Sequence, residues 1–139
     1  MAVTFKSKSI PMTYKIWTTY KLFQLLAIIK IWGSTKLNEM YFLIYILDNE
    51  ICVEDLEQNN FLLFSNYFSN KIIDFSLKNN LISFSRLSLR LNDSGENFFK
   101  ESKKLNVFND LIEKIKELKK QKKLIKKYLE NRENLYAKD

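Results

Sequence analysis

The side chains with most chemical reach in this 139-residue chain are a single cysteine, Cys52, and the carboxylates around it, Glu50, Glu54, Asp55 and Glu57. A cysteine attacks as its thiolate, which needs a neighbouring base or cation. Here the neighbours are acids, so Cys52 reads as a structural residue, buried or half-buried between Ile51 and Val53. The four acids could face a hard cation, but they lack both the spacing of an EF-hand loop and its turn glycine. An acidic linker turned toward a basic partner is the better reading. With no histidine anywhere, His-based triads, His metal sites and His proton shuttles are excluded. One cysteine rules out Cys-rich zinc sites and internal disulfides, and two glycines, Gly33 and Gly95, cannot build a glycine-rich phosphate loop. The chain is therefore expected to be no enzyme and to need no cofactor or metal.

What remains is charge and apolar surface. The net charge of +7 is unevenly spread. Residues 1–32 hold five bases and no acid, residues 33–99 five bases and nine acids, and residues 100–139 thirteen bases and seven acids. Basic ends thus flank an acidic middle. A basic end can attract nucleic acid, anionic lipid or an acidic protein, or it can be an ordinary solvated helix face. Lys119, Lys120, Lys122, Lys123, Lys126 and Lys127 crowd one stretch and form the candidate basic contact surface. The apolar run Ile16–Trp32 is interrupted by Lys21, Gln24 and Lys30, and Met40–Leu47 is too short to span a bilayer. No small-residue cleavage site follows the first run. These features predict no membrane span and a cytoplasmic protein, with peripheral membrane contact a distant alternative.

The elements that must position these groups follow from periodicity. An N-terminal arm, residues 1–12, ends near Pro11. A helix with a wide apolar face runs from Ile16 to Trp32, with Thr13 as a candidate cap and Gly33 as its stop. Ser34 or Thr35 caps a second helix, whose stripe is Leu37, Met40, Tyr41, Leu43, Ile44 and Leu47. Residues 50–62 read as a loop or short helix, with Ile51 and Val53 able to pair as a strand. Asn66 caps a third helix over about 67–79, with Tyr67, Phe68, Ile72, Ile73, Phe75 and Leu77 as its apolar positions. Alternation then has a period of two, through Leu81, Ile82 and Phe84 and again through Leu87, Leu89 and Leu91. Its phase slips at Ser85-Arg86, which predicts a tight hairpin. A further helix follows Asn92-Asp93-Ser94 and continues, with a break near Asn106, into a seam of Phe108, Leu111, Ile115, Leu118, Ile125 and Leu129. Lys122 occupies the empty slot of that heptad spacing. The aromatics Trp17, Tyr20, Phe23, Trp32, Tyr41, Phe42 and Tyr45 sit at core-like spacing, and the surplus they create predicts a subunit interface.

The order helix, helix, linker, helix, hairpin, helix resembles a winged-helix layout. The residues that carry the resemblance are Phe75-Ser76-Leu77-Lys78-Asn79-Asn80-Leu81-Ile82 and Leu91-Asn92-Asp93-Ser94-Gly95-Glu96-Asn97-Phe98. In winged-helix proteins the third helix ends in a pattern like the first. The second strand of the wing ends in a Leu-Thr-x-x-Gly-x-x-Phe/Leu pattern. Here Leu91, Gly95 and Phe98 match it, and Asn92 stands where Thr is usual. The resemblance implies that Leu91 and Phe98 turn inward and that Asn92 or Asp93 caps the following helix. The basic arm, the two long apolar helices, the short hairpin and the C-terminal helix are also similar, without a diagnostic motif, to the middle component of bacterial three-component ABC-ATPase systems. That family implies an accessory subunit of an SMC-like ATPase in genome defence, with no catalytic centre of its own.

In a winged helix that reads DNA, the third helix would enter the major groove. Its candidates are Asn66, Ser69, Asn70, Lys71, Asp74 and Lys78, with Arg86 and Arg90 on the hairpin. The acidic middle segment opposes this use, because phosphate contacts supply most of the affinity for DNA and need local Lys or Arg.

The expected fold is therefore mainly α (α+β): a winged helix over residues 13–105 with a short β-hairpin wing, preceded by the arm and followed by a basic helix over 106–139. The expected function is a non-catalytic interaction subunit that docks on a larger protein, with an SMC-like ATPase as the candidate partner. Non-specific DNA contact and a second copy of the chain are further candidate partners. A winged-helix transcriptional regulator is the alternative.

Overall fold

The computed structural model describes the backbone of residues 12–54 and 67–137 and the side chains of residues 19–54 and 70–131. The described chain is mainly helical with a small antiparallel sheet. In order it runs α1 (Met12–Trp32), β1 (Thr35–Lys36), α2 (Leu37–Asn49), α3 (Tyr67–Lys78), β2 (Ile82–Ser85), β3 (Ser88–Leu91), α4 (Asp93–Lys103), α5 (Asn109–Lys120) and α6 (Lys122–Ala137). The expected caps Thr13 and Asn66 lie outside the described side chains.

Every residue of α1 from Lys21 to Ile29 is buried. A helix apolar on all sides has to be wrapped, and α2, α3, α4, α5 and β3 all pack on it. Its two buried polar side chains meet one acid at the end of α2: Lys21 Nζ lies 2.5 Å from Asp48 Oδ2, and Gln24 Nε2 donates to Asp48 Oδ1 at 3.0 Å. Gly33, at φ +100°, ends α1 as expected, with its N–H on the Ile29 carbonyl.

Directly after this stop the chain does what local periodicity did not reveal. Thr35 and Lys36, expected to be a cap and a helix start, form a strand that pairs with β3, Thr35 opposite Leu89 and Lys36 opposite Ser88. The sheet order is β1-β3-β2. Thr35 is buried, and its Oγ1 donates to the Gly33 carbonyl at 2.7 Å. Glu39 then caps α2 from within, its Oε1 accepting the Lys36 N–H at 2.9 Å.

The hairpin forms, with Ile82 opposite Leu91 and Phe84 opposite Leu89, but its turn is Arg86-Leu87, so Leu87, expected as an apolar position of the second strand, is a turn residue and β3 starts at Ser88. The junction after it differs from expectation. Asn92 stands at the N-cap position with extended backbone, but its side chain does not cap α4. Its Oδ1 accepts from Ser83 Oγ at 2.9 Å, and its Nδ2 donates to the Asn80 and Ile82 carbonyls. An amide has both donors and an acceptor, so one residue ties the hairpin to the turn before it. The inward ring is Phe99, whereas Phe98 is half-buried. The face of α4 turned to α1 is set by Gly95 and Phe99, four residues apart on one side of the helix. Leu91 is likewise half-buried.

Gly95 explains the spacing of this segment. A Cβ built there would lie 2.1 Å from the Leu81 carbonyl oxygen, backbone that cannot swing away. That carbonyl also accepts the Asn92 N–H at 2.9 Å. The first turn of α4 therefore rests directly on the start of the hairpin.

Two further expectations are corrected. Within α3, Ile72 and Ile73 are buried, but Phe75 is half exposed, and the small Ser76 takes the buried place with its Oγ on the Ile72 carbonyl. The break near Asn106 is present, Asn106 having φ 62°, and a second break at Gln121 separates α5 from α6. The six seam residues Phe108, Leu111, Ile115, Leu118, Ile125 and Leu129 are all buried. They lie in the same core as α1 and α2: Phe108 stacks on Phe23 with centroids 4.1 Å apart, and Tyr128 stacks on Phe42 at 5.4 Å. Of the aromatics that suggested an interface, Phe23, Phe42 and Trp32 are buried beneath the chain's own C-terminal segments, Tyr41 and Tyr45 are half-buried, Tyr20 is exposed, and the side chain of Trp17 lies outside the described residues.

Gly95→Ala should lower stability by about 2–3 kcal/mol or more, since overpacking against backbone leaves no cheap relaxation. Ser94→Ala, one residue earlier and exposed, should change it by under about 0.5 kcal/mol. Urea unfolding of the two variants checks both.

Candidate functional site

Two surfaces stand out once the fold is in place. The first is the end of the hairpin. Arg86 and Leu87 link β2 to β3 with φ values of 54° and 68°. A two-residue hairpin turn with both centres at positive φ is normally made by Asn-Gly, because a Cβ is disfavoured there. Here it holds an arginine and a leucine, and Leu87 is 83% exposed. Phe84 on β2 and Phe75 on α3 are also half exposed. The hairpin side of the molecule thus offers large apolar groups, one of them on strained backbone.

The residues expected to read DNA are not brought into one basic surface. Asn66 lies outside the described residues, as does the side chain of Ser69. Asn70 is exposed, and its Oδ1 accepts the Tyr41 hydroxyl. Lys71 is exposed. Lys78 is bound to Asp74 one turn before it at 2.9 Å. Arg86 is at the hairpin tip and Arg90 on β3, both exposed. Arg90 lines a shallow groove with Lys30, Ser34 and Glu96, and there Lys30 is paired to Glu96 at 2.8 Å.

The second surface involves the C-terminal lysines, which divide into three sets. Lys122 and Lys126 dock on the body. Lys122 Nζ donates to the Trp32 carbonyl at 2.8 Å, closing the C-terminal end of α1, and sits 5.2 Å from the Trp32 ring centroid. Burial, with Lys126 and Lys119 nearby, pulls its pKa below the ordinary lysine value against the opposing pull of Glu39. Lys126 reaches the buried Glu39 carboxylate at 3.0 Å. These two belong to the structure and not to a free contact surface. Lys123 and Lys127 face solvent. Lys119 and Lys120 line a groove of about 450 Å³ together with Lys30, Lys103 and Lys116, over a floor of Ile31, Phe99 and Ile112. Lys120 is hydrogen-bonded to Glu117 at 2.8 Å, which raises its pKa.

Sequence reasoning found two of these five lysines. Lys116 was legible as well, since Ile112, Lys116 and Lys119-Lys120 follow one helix face at four- and three-residue steps. Lys30 comes from a helix distant in sequence and Lys103 from the end of the helix before α5, and the packing of α1, α4 and α5 unites them.

Cys52, expected inside, is exposed, and only Val53 of its neighbours is buried. The described part of the acidic stretch has no strand; Val53 and Glu54 make a short helical turn, and Asp55 and Glu57 lie outside the described residues. Among the described residues no group of His, Cys, Asp and Glu could hold a metal ion, and no helix is long and apolar enough to cross a membrane. No family model, no curated protein and no solved structure matches the chain.

Two stability outcomes follow. Leu87→Gly should raise stability by about 1 kcal/mol, because glycine relieves the left-handed backbone and only an exposed side chain is lost. Lys126→Ala should cost about 1–3 kcal/mol by leaving the buried Glu39 carboxylate without its cation. Lys123→Ala and Lys127→Ala should be near neutral. Chemical denaturation of the four variants measures all of this.

Proposed function

We propose that the chain is a non-catalytic interaction subunit built on a winged helix, and that it docks a larger protein partner through the hairpin side. The order helix, strand, helix, helix, hairpin with sheet order β1-β3-β2 supports the fold assignment. The observation that carries the function is Leu87. A large apolar side chain held almost fully exposed on a left-handed turn costs stability in the free protein. Such a residue is retained where something else gains from it, and contact with a partner is the simplest gain. Phe75 and Phe84 extend the same apolar character onto α3 and β2.

DNA reading is less well supported. One lysine of α3 is already neutralised by Asp74, and Phe75 stands exposed on the helix that would enter the groove. A phosphate-facing surface needs free cations there. The regulator reading keeps Arg86 and Arg90 as its best residues, exposed on the hairpin. Absence of catalysis is supported by the missing histidine and by a cysteine set among acids. An SMC-like ATPase remains the candidate partner, on the strength of the resemblance in element order.

The test is affinity purification of the tagged chain from its native cell, comparing wild type with Phe84→Ser/Leu87→Asp. The wild type should recover a larger protein in near-stoichiometric amount, and the variant should lose most of it while remaining folded. Leu87→Gly should be more stable yet recover less partner. If a mobility-shift assay instead finds one tightly bound genomic duplex, lost on mutating Asn70 and Lys71, the regulator takes first place.

A further inference from the structure

We infer that the groove between the ends of α1, α4 and α5 is a docking site for an acidic segment of a partner protein with apolar anchors. The inference rests on the interaction-subunit reading and names the chemistry of what is bound. Five lysines rim this groove and, among the described residues, no acid lines it. Three of them are partly answered from outside: Lys30 by Glu96 at 2.8 Å, Lys116 by Glu113 at 3.5 Å and Lys120 by Glu117 at 2.8 Å. Lys103 and Lys119 make no ion pair among the described residues, although both stand in the last turn of their helices. A helix end favours a lysine at such a position, which accounts for where the charges are. Between them lies an apolar floor made by half-buried Ile31 and the outer edges of the core residues Phe99 and Ile112.

The composition separates the candidate occupants. Dense phosphate is bound best by arginine forks, hydroxyls and the amide ends of helices. Among the described residues this groove has no arginine, no hydroxyl and no amide side chain, and it lies toward the carbonyl ends of α1, α4 and α5. Those ends carry partial negative charge and disfavour any anion, a dense polyphosphate more than the single charges of separated carboxylates. Lysine arms are long enough to meet separate carboxylates at the rim while aliphatic or aromatic side chains cover the floor. A peptide segment with apolar residues flanked by Asp or Glu satisfies both halves of the groove.

The experiment selects a displayed library of random peptides, about a dozen residues long, on the whole protein. The enriched peptides are then measured against three proteins: wild type, Lys103→Glu/Lys119→Glu and Lys123→Glu/Lys127→Glu. The expected consensus has apolar anchors beside Asp or Glu. Affinity should fall at least about tenfold in the first variant and stay unchanged in the second, whose lysines lie outside the groove. Should the first variant fold poorly, Lys103→Gln/Lys119→Gln replaces it, with the same expected direction. Enriched peptides without acids, or equal binding to all variants, overturn the inference. So does a short DNA duplex that binds more tightly than the peptides and is lost with the same substitutions. Capture of the native partner distinguishes the two readings. Loss only with Phe84→Ser/Leu87→Asp removes the groove and keeps the subunit, whereas no loss with either variant removes both.

Discussion

A helix that is apolar on every side is the constraint from which the rest of the molecule follows. From Lys21 to Ile29, α1 has no solvent face, so its burial cannot be met by one partner element. Neighbouring α2 covers part and supplies Asp48 for the two polar side chains that burial would otherwise strand. The sheet covers another part through β3, and α3, α4 and α5 cover the remainder. At each join a close fit replaces a long loop: Gly95 against the Leu81 carbonyl, Asn92 across the hairpin base, and Lys122 on the last carbonyl of α1.

Because the core absorbs the chain's long apolar elements, the apolar groups still exposed are informative. Leu87, Phe84 and Phe75 are found on the hairpin and the helix before it, whereas Leu105 and Val107 flank the break after α4, Leu124 lies on α6 and Tyr20 on α1. The lysine-rimmed groove arises differently. α1 and two of the helices that wrap it, α4 and α5, leave their C-terminal turns close together, and each carries lysine in that turn. One surface is thus made by a turn that resists its own sequence, the other by helix ends that agree with theirs.

The parts of the fold legible in sequence were those with a local period. α1 and its glycine stop, the hairpin to within one residue of its turn, and the heptad seam from Phe108 to Leu129 could all be read from neighbours within a turn or two. β1 could not, because two residues carry no period and their pairing is fixed by Leu89, more than fifty positions later. The exchange of Phe98 for Phe99 had a similar origin. Both lie one turn after Gly95, and the contact with Leu81 that selects the face is non-local. Lys122 and Lys126 counted as free charge in sequence because their partners, the Trp32 carbonyl and Glu39, lie some ninety residues away. The groove was legible only along α5, where Lys116, Lys119 and Lys120 share one face.

The wrapping of α1 also has a consequence in time. During synthesis α1 emerges long before most of what covers it: Leu89 follows Phe23 by more than sixty residues and Ile125 by about a hundred. At ribosomal speeds of roughly 5–20 residues per second, the helix waits several seconds for its last cover. For that interval the nascent chain carries an unprotected greasy rod, with only α2 able to shield it early. Its yield in the cell should depend on chaperone supply more steeply than its final stability would suggest, and a pause placed between α2 and the hairpin should be costlier than one placed after α5.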